Sequence, residues 1–234
     1  MIIAWAFLGL ATRTPILTYH DIIPKRTSKS VWFDCTVSEF QNQISWLKKQ
    51  GAVFVSTNDI YEALTGKKKL PPRAICITFA DNYEGFYRYA WPILKRDKIP
   101  TTQFVHTGFV GAKKGRPKMS WQQLIDLDRS GLVTVASQTV THPADLTKMS
   151  EQAVLNEFTK SRTQLESKLG HPVFQLAYPN GKYDLRTAKL AAKAGYKIAF
   201  TEDCQPAESA QSLLMVPRYV HTKYVVAWQA KKVR

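Results

Sequence analysis

The sequence predicts an α/β fold, a distorted barrel of seven β/α units that is closed or nearly closed, and three observations carry that expectation. From Pro15 onward, short β-rich apolar runs alternate with capped amphipathic stretches, the pattern of strands and helices around a largely parallel sheet. The 234 residues are enough to bury a sizeable core, and α/β barrels reach this length undivided. No internal repeat, low-complexity tract or linker longer than a loop interrupts the pattern, so one domain is expected over residues 12–234.

In chain order the runs are Ile16 to Tyr19, Val53 to Val55, Ala74 to Phe79, Thr102 to Val105, Leu132 to Ala136, Val173 to Ala177 and Lys197 to Thr201, most of them bounded by Gly, Pro or polar residues. Between the first two, Thr36 and Glu39 have capping-box spacing, and Val37, Phe40, Ile44 and Leu47 recur at helical intervals before Gly51, which predicts a helix. Ser120 with Gln123 opens a second helix ending near Gly131. Ser150 opens a long one whose Val154, Phe158, Leu165 and Leu169 share a face up to Gly170, and Asp184 begins another that stops at Gly195. Tyr83 to Lys98 reads as an aromatic-rich helix kinked near Pro92, because proline lacks a backbone donor and crowds the preceding turn. Gly66 to Arg73 and Gly111 to Lys118 read as exposed basic loops.

Hydrophobic residues at 44% and charged residues at 22% are ordinary globular usage, which speaks against a disordered chain or a membrane-embedded body. Lys and Arg number 33 against 18 Asp and Glu, a formal +15 that favours anionic surroundings such as a cell-surface polymer. The positive charges are scattered with no nucleic-acid module around them, so nucleic acid is not an expected partner. Cys35, Cys76 and Cys204 lack metal-ligand spacing, and Cys76, inside an apolar run, reads as core. Met1 to Ala11 is apolar over the length of a signal-peptide core, with Gly9 and Ala11 small enough for a cleavage site, but it lacks the positively charged leader. Residues 1–11 are read as a signal-peptide remnant or a first strand, too short to span a bilayer, and export to the periplasm, cell envelope or exterior is favoured.

In such barrels the active groups sit on loops leaving the C-terminal ends of the strands. There the sequence places Thr78-Phe79-Ala80-Asp81-Asn82 after the third run, Ser137-Gln138-Thr139-Val140-Thr141-His142-Pro143 after the fifth, and Tyr178-Pro179-Asn180-Gly181 after the sixth. Taken singly, Asp81 reads as a loop cap and His142 as a satisfied polar residue.

Together, in order and spacing, the three segments resemble the motifs of the polysaccharide (carbohydrate) deacetylase, or NodB homology, family. Its first motif runs Thr-Phe-Asp-Asp-Gly, its second His-Ser/Thr-x-x-x-His, and its third is Arg-x-x-Pro-x-Gly-like. The resemblance spans Pro15 to His221. Through Ile16-Leu17-Thr18-Tyr19-His20-Asp21 and Tyr178-Pro179-Asn180-Gly181 it is most similar to the branch that deacetylates poly-N-acetylglucosamine. It implies a distorted (β/α)7 barrel of NodB type, a divalent metal held by Asp, His and His, a second Asp as general base, and a distal His as acid. The reaction implied is hydrolysis of an N-acetyl group on a sugar, in which the metal polarises the amide carbonyl and acidifies its water while the carboxylate takes the proton.

Carried over residue by residue, Asp81 matches the metal-binding aspartate and His142 the second metal histidine. Ala80 stands at the base position, and loss of a positioned base costs on the order of 100- to 10,000-fold in rate. Gln138 stands at the first metal histidine, and an amide oxygen is a poorer Zn²⁺ ligand than an imidazole nitrogen. The implied cofactor is therefore a loosely held divalent metal (Zn²⁺, Co²⁺, Mn²⁺ or Mg²⁺), the last two accepting oxygen ligands most readily. Ala177 or Tyr178 lies where many relatives place an arginine that orients the base. Glu84 and Asp145 are the carboxylates that could stand in for it, with solvated charges as their other reading.

His221, in Arg218-Tyr219-Val220-His221, is the nearest candidate for the late acid histidine, although the family's Leu-x-His is not matched cleanly. His20 is expected to line the strand-end face, with loop capping as the bland alternative, and His106 faces the same mouth without an assigned role. Substrate contacts are expected from Tyr178, Pro179, Asn180, Gly181, His20 and Trp121, with Phe109 and Trp121 as sugar-stacking surfaces beside a basic loop. Two functions of different class follow: slow, metal-assisted de-N-acetylation of a polysaccharide or oligosaccharide, or glycan binding and scaffolding without turnover. A third, binding of an anionic polymer, rests on charge alone.

Overall fold

The computed structural model describes residues 13–230, so the signal remnant or first strand expected at 1–11 lies outside the described residues. Strand β1 (Ile16–Tyr19) is followed by a separate small parallel pair, β2 (Ile22–Ile23) and β3 (Cys35–Thr36). Then come β4 (Val53–Val55), β5 (Ala74–Phe79), β6 (Thr101–Val105), β7 (Val133–Ser137), β8 (Gln175–Ala177), β9 (Ile198–Phe200) and β10 (Tyr219–Val220). All seven runs read from the sequence are strands. The main sheet runs β10-β1-β5-β6-β7-β8-β9 with every pairing parallel. β4 stands off this path on the first half of β5, and β10, too short to show in the sequence, takes the seventh place. A bridge between Phe200 and Val216 brings the segment leading into β10 onto β9, so the path curls round almost to meet itself. This is the distorted seven-strand barrel expected.

The helices packed around it are α1 (Val37–Lys49), α2 (Thr57–Leu64), α3 (Trp91–Arg96), α4 (Trp121–Arg129), α5 (Glu151–Leu169), α6 (Leu185–Lys193) and α7 (Tyr224–Gln229). Capping boxes at Thr36/Glu39 and Ser120/Gln123 start α1 and α4, and Ser150 and Asp184 cap α5 and α6. Gly170, with φ of 80°, closes α5 in the left-handed conformation. Helix α2 has the same kind of signal, Ser56/Asp59, which the sequence reading passed over. The kink expected near Pro92 is a π-helical turn over Phe86–Ala90 that hands over to α3, with the proline in the first turn of α3.

All six residues of β5 are buried, as is Cys76 among them, and all three thiols are free. The basic loop 111–118 is less exposed than expected. Lys118 is buried, and Arg116 reaches inward to Asp21 and Asp34, because both carboxylates are withdrawn from water and need a cation.

Candidate active site

The strand ends deliver His20 after β1, Asp81 after β5, His106 after β6, Gln138 and His142 after β7, and Glu202 after β9. Of the eight described non-glycine residues with positive φ, six lie in turns that leave strand ends: Asp81 (67°) and Asn82 (40°) after β5, Thr139 (70°) and His142 (53°) after β7, Asn180 (54°) after β8 and Cys204 (54°) after β9. Left-handed backbone at non-glycine residues costs free energy and persists where surrounding contacts over-determine it, so its concentration on one face makes that face the candidate site.

Those contacts are specific. The Asp81 carbonyl accepts from His106 Nε2 and from Lys118 Nζ, each at 2.8 Å, which makes Nε2 the protonated nitrogen of His106. The Asp81 N–H donates to Gln138 Oε1 at 2.8 Å, and Asn82 Oδ1 accepts from the His106 N–H at 3.3 Å. On the opposite wall, the Thr139 hydroxyl accepts from the His142 N–H at 3.2 Å. Glu157 of α5 accepts from the Val140 N–H at 2.8 Å, the Thr141 N–H at 2.9 Å and the Thr141 hydroxyl at 2.7 Å. Glu157 therefore holds the loop that presents His142. Replacing it by alanine is expected to lower affinity for Mn²⁺ by on the order of ten-fold, with unchanged circular dichroism, as read by calorimetric titration.

Asp81 Oδ1 lies 3.5 Å from His142 Nε2. Burial by itself would raise the Asp81 pKa, but the imidazoles of His20, His142 and His106 and the Lys118 ammonium outweigh it and hold the carboxyl below its usual range. Burial lowers His20, opposed by Asp81 and Glu202, and pushes His106 down to about 4, so His106 is neutral at physiological pH. Burial also lowers Lys118 to about 8, while its Nζ sits 3.3 Å from the centroid of the Tyr83 ring.

Glu202 is the carboxylate that the sequence reading missed. It lies 4.0 Å from His20 Nε2 and 3.6 Å from the fully buried Arg218, which also donates to the Thr201 carbonyl and to the Thr18 and Thr78 hydroxyls. The rule that singled out Asp81, a polar residue just past a strand end, applies equally to Glu202 after the last run. Arg218 and Lys118 carry no such signal, since each enters from a loop.

The other expected residues fall as follows. Ala80 is buried and offers no acceptor. Glu84 is engaged by Arg88 at 3.3 Å and Lys113 at 3.5 Å, and Asp145 caps the Leu146–Lys148 turn and meets Lys182 at 3.6 Å, so both carboxylates are occupied elsewhere. His221 is buried with its ring stacked on Tyr19 at 5.0 Å, and burial takes it down to about 4. Tyr178 is buried, donates to the Leu214 carbonyl at 3.0 Å and stacks on Tyr183. Pro179 is buried, and Asn180 Nδ2 donates to the Ala144 carbonyl at 3.2 Å, tying its turn to the His142 loop. Gly181 comes so near Glu202 that an added Cβ would lie 3.0 Å from the Glu202 nitrogen. Trp121 opens α4, packs on the core and has Lys168 5.9 Å from its ring.

Asp81 Oδ1 is buried without a hydrogen bond and faces His142, an arrangement suited to two ligands of one divalent ion. The third donor is weaker. Gln138 Oε1 already accepts from the Asp81 N–H, leaving one lone pair, and no group of three His, Cys, Asp or Glu side chains suited to a metal occurs among the described residues. The donor set fits a loosely held, oxygen-tolerant ion better than a three-ligand zinc.

Comparison with known proteins bears out the family resemblance and the fold. The family model for polysaccharide deacetylase matches residues 67–199. A poly-beta-1,6-N-acetyl-D-glucosamine N-deacetylase of Staphylococcus aureus is 30% identical over 178 residues, 72% of this chain and 61% of the relative. A putative polysaccharide deacetylase of Bacillus subtilis is 25% identical over 222 residues, covering 92% of this chain and 74% of its own. Among solved structures, the Streptococcus pyogenes deacetylase PplD in complex with acetate superposes with a TM-score of 0.84 at 26% identity, covering 94% of this chain and 99% of that one. IcaB from Ammonifex degensii gives 0.81 at 26% identity, covering 94% and 98%. The chain thus spans about three fifths of the length of the staphylococcal relative.

Proposed function

Because this chain belongs to the polysaccharide deacetylase family, we propose that it binds an N-acetylated glycan across the Asp81–His142 face and removes acetyl groups slowly. The observation that carries this reading is the prearranged Asp81–His142 pair beside a position, Ala80, that offers no proton acceptor. Asp81 and His142, with the Gln138 oxygen, would hold a divalent ion, which when bound polarises the acetamido carbonyl and acidifies water. Lys118 and His106 fix the Asp81 backbone, and Glu157 fixes the His142 loop. His20 keeps its buried Nδ1 without a partner, a hydrogen-bonding atom available to substrate, while Glu202 lies on its Nε2 side. The activity named for the staphylococcal relative supports a polymer of N-acetylglucosamine as substrate. A polymer of the cell envelope goes with export of the chain. No helix among the described residues is long and apolar enough to cross a membrane.

Acetate release from N-acetylglucosamine oligomers, with Zn²⁺, Co²⁺ or Mn²⁺ added and with chelator, tests the proposal. Slow release that depends on metal and is lost in Asp81→Asn is the expected result. The absence of an acceptor at Ala80 favours a second reading, glycan binding without turnover. Binding with no acetate released at saturating metal would establish that reading instead.

A further inference from the structure

Among the described residues, the exposed large hydrophobic side chains include two aromatics, Trp32 at 64% exposure and Phe109 at 42%. Each is joined to the site through a chain of rings. Trp32 meets Phe33 edge-on at 5.6 Å, and Phe33 lies 5.0 Å from His20. Phe109 lies 5.0 Å from His106, which is 5.4 Å from His142. Strand order puts them on opposite sides of Asp81, since His20 follows β1, Asp81 follows β5 and His106 follows β6, and β5 lies between the other two.

Neither aromatic rides on a loose segment. The loop before β3 is fastened by the buried Asp34, which accepts from the Val31 N–H at 2.7 Å and from Arg116 at 2.9 Å, while Arg116 also donates to the Lys29 carbonyl at 3.3 Å. The Phe109 turn is fastened by the Gly108 N–H donating to the Val140 carbonyl at 2.9 Å, an approach that leaves a Cβ at position 108 only 2.8 Å from that oxygen. Holding a large apolar ring in water on a fixed backbone leaves hydrophobic surface uncovered, and such surface beside a site reads as a binding element. Flat rings suit the C–H faces of pyranose sugars, which bury apolar area while their hydroxyls stay in water.

Building on the proposed function, we propose that Trp32 and Phe109 are the two stacking platforms of a glycan groove. Sugar units on either side of the acetylated one lie on them, so the ligand is the interior of a polymer and not a monosaccharide or a chain end. The sequence pointed to Trp121 as the partner of Phe109; the structure assigns that place to Trp32.

Calorimetric titration with N-acetylglucosamine and its β-linked oligomers up to the pentamer tests this. In the native chain the affinity should climb with length, the pentamer binding on the order of 100-fold more tightly than the monosaccharide. Trp32→Ala and Phe109→Ala should each cut that ratio by roughly ten-fold, and Trp32→Phe should keep most of it. Length-independent binding by the native chain, or a ratio unmoved in the Trp32→Ala, Phe109→Ala double variant, overturns the platforms and leaves the proposed function standing. No binding at any length overturns both.

Discussion

The double variant Ala80→Asp, Gln138→His is expected to release acetate from N-acetylglucosamine oligomers on the order of 100- to 10,000-fold faster than the native chain, with Zn²⁺ or Co²⁺ added. The ground for so large a gain is that the backbone is already in place: the Ala80 N–H donates to the Tyr19 carbonyl at 2.8 Å, and the Asp81 carbonyl is held by His106 and Lys118. Only side-chain chemistry is missing. Neither single variant should approach the double, because base and metal act on one water and their effects are not additive. Gln138→His alone also removes the acceptor of the Asp81 N–H, a loss of about 1 kcal/mol. The introduced carboxyl serves as a base only when ionised, so the rate should climb as pH rises through its pKa. A folded, metal-loaded double variant no faster than the native chain would remove the deacetylase reading of the site.

Arg116→Ala should lower stability at pH 7 by about 3 kcal/mol. The Asp34 side chain is fully buried, and Arg116, itself 30% exposed, is its cation and also that of Asp21 at 3.4 Å. Burial by itself would raise the Asp34 pKa, but hydrogen bonds from Arg116 and the Val31 N–H more than offset it and hold the carboxyl below 3.8. That depression contributes stability above the unfolded value and loses it as pH falls through the folded one. Asp21, raised by burial to about 6 against the pull of Arg116, works in the other sense: its contribution is full below 3.8 and is lost as pH rises through about 6. Without Arg116 both carboxyls move up, so the gap between native and variant in urea midpoints is widest near pH 7 and narrows below about pH 4. An equal gap at both pH values would show that packing of Arg116 over Phe33 and Tyr83, not charge, holds the loop.

Much of this molecule is legible one element at a time. Capping boxes and apolar periodicity are local, so α1, α4, α5 and α6 and the seven runs can be read without tertiary knowledge. Pairing is not local: whether Val53–Val55 sits in the path or beside β5 depends on how much of β5 is already taken by β1. The site divides in the same way. Ala80, Asp81, Gln138 and His142 are visible because they adjoin apolar runs in a recognisable order. Glu202 and Arg218 meet only because residues near the two ends of the sheet path come together in space. Lys118 and Arg116 looked like surface charge because a basic loop gives no sign of which cations turn inward to buried oxygens.

The barrel has one thin seam. β7 and β8 share a single rung, Ser137 with Leu176, whereas β9 is joined to the segment before β10 by the Phe200–Val216 bridge and by hydrogen bonds from the Ala199 N–H to the Leu213 carbonyl, from the Thr201 N–H to the Val216 carbonyl and from the Val216 N–H to the Ala199 carbonyl. A two-strand ribbon, β8 with β9, is thereby set between a broad slab on one side and the closing segment on the other. His20, Asp81, His106 and His142 ride on the slab, whereas Asn180, Gly181 and Glu202 ride on the ribbon. Local opening of a sheet starts at its least-bonded joints, which puts the β7–β8 seam first in line. Arg218 bonds Thr201 on the ribbon and Thr18 and Thr78 on the slab at once. The face that carries Asp81 and His142 is thus split between two bodies, and the guanidinium buried beneath it ties them together, as does the Asn180 amide at the rim.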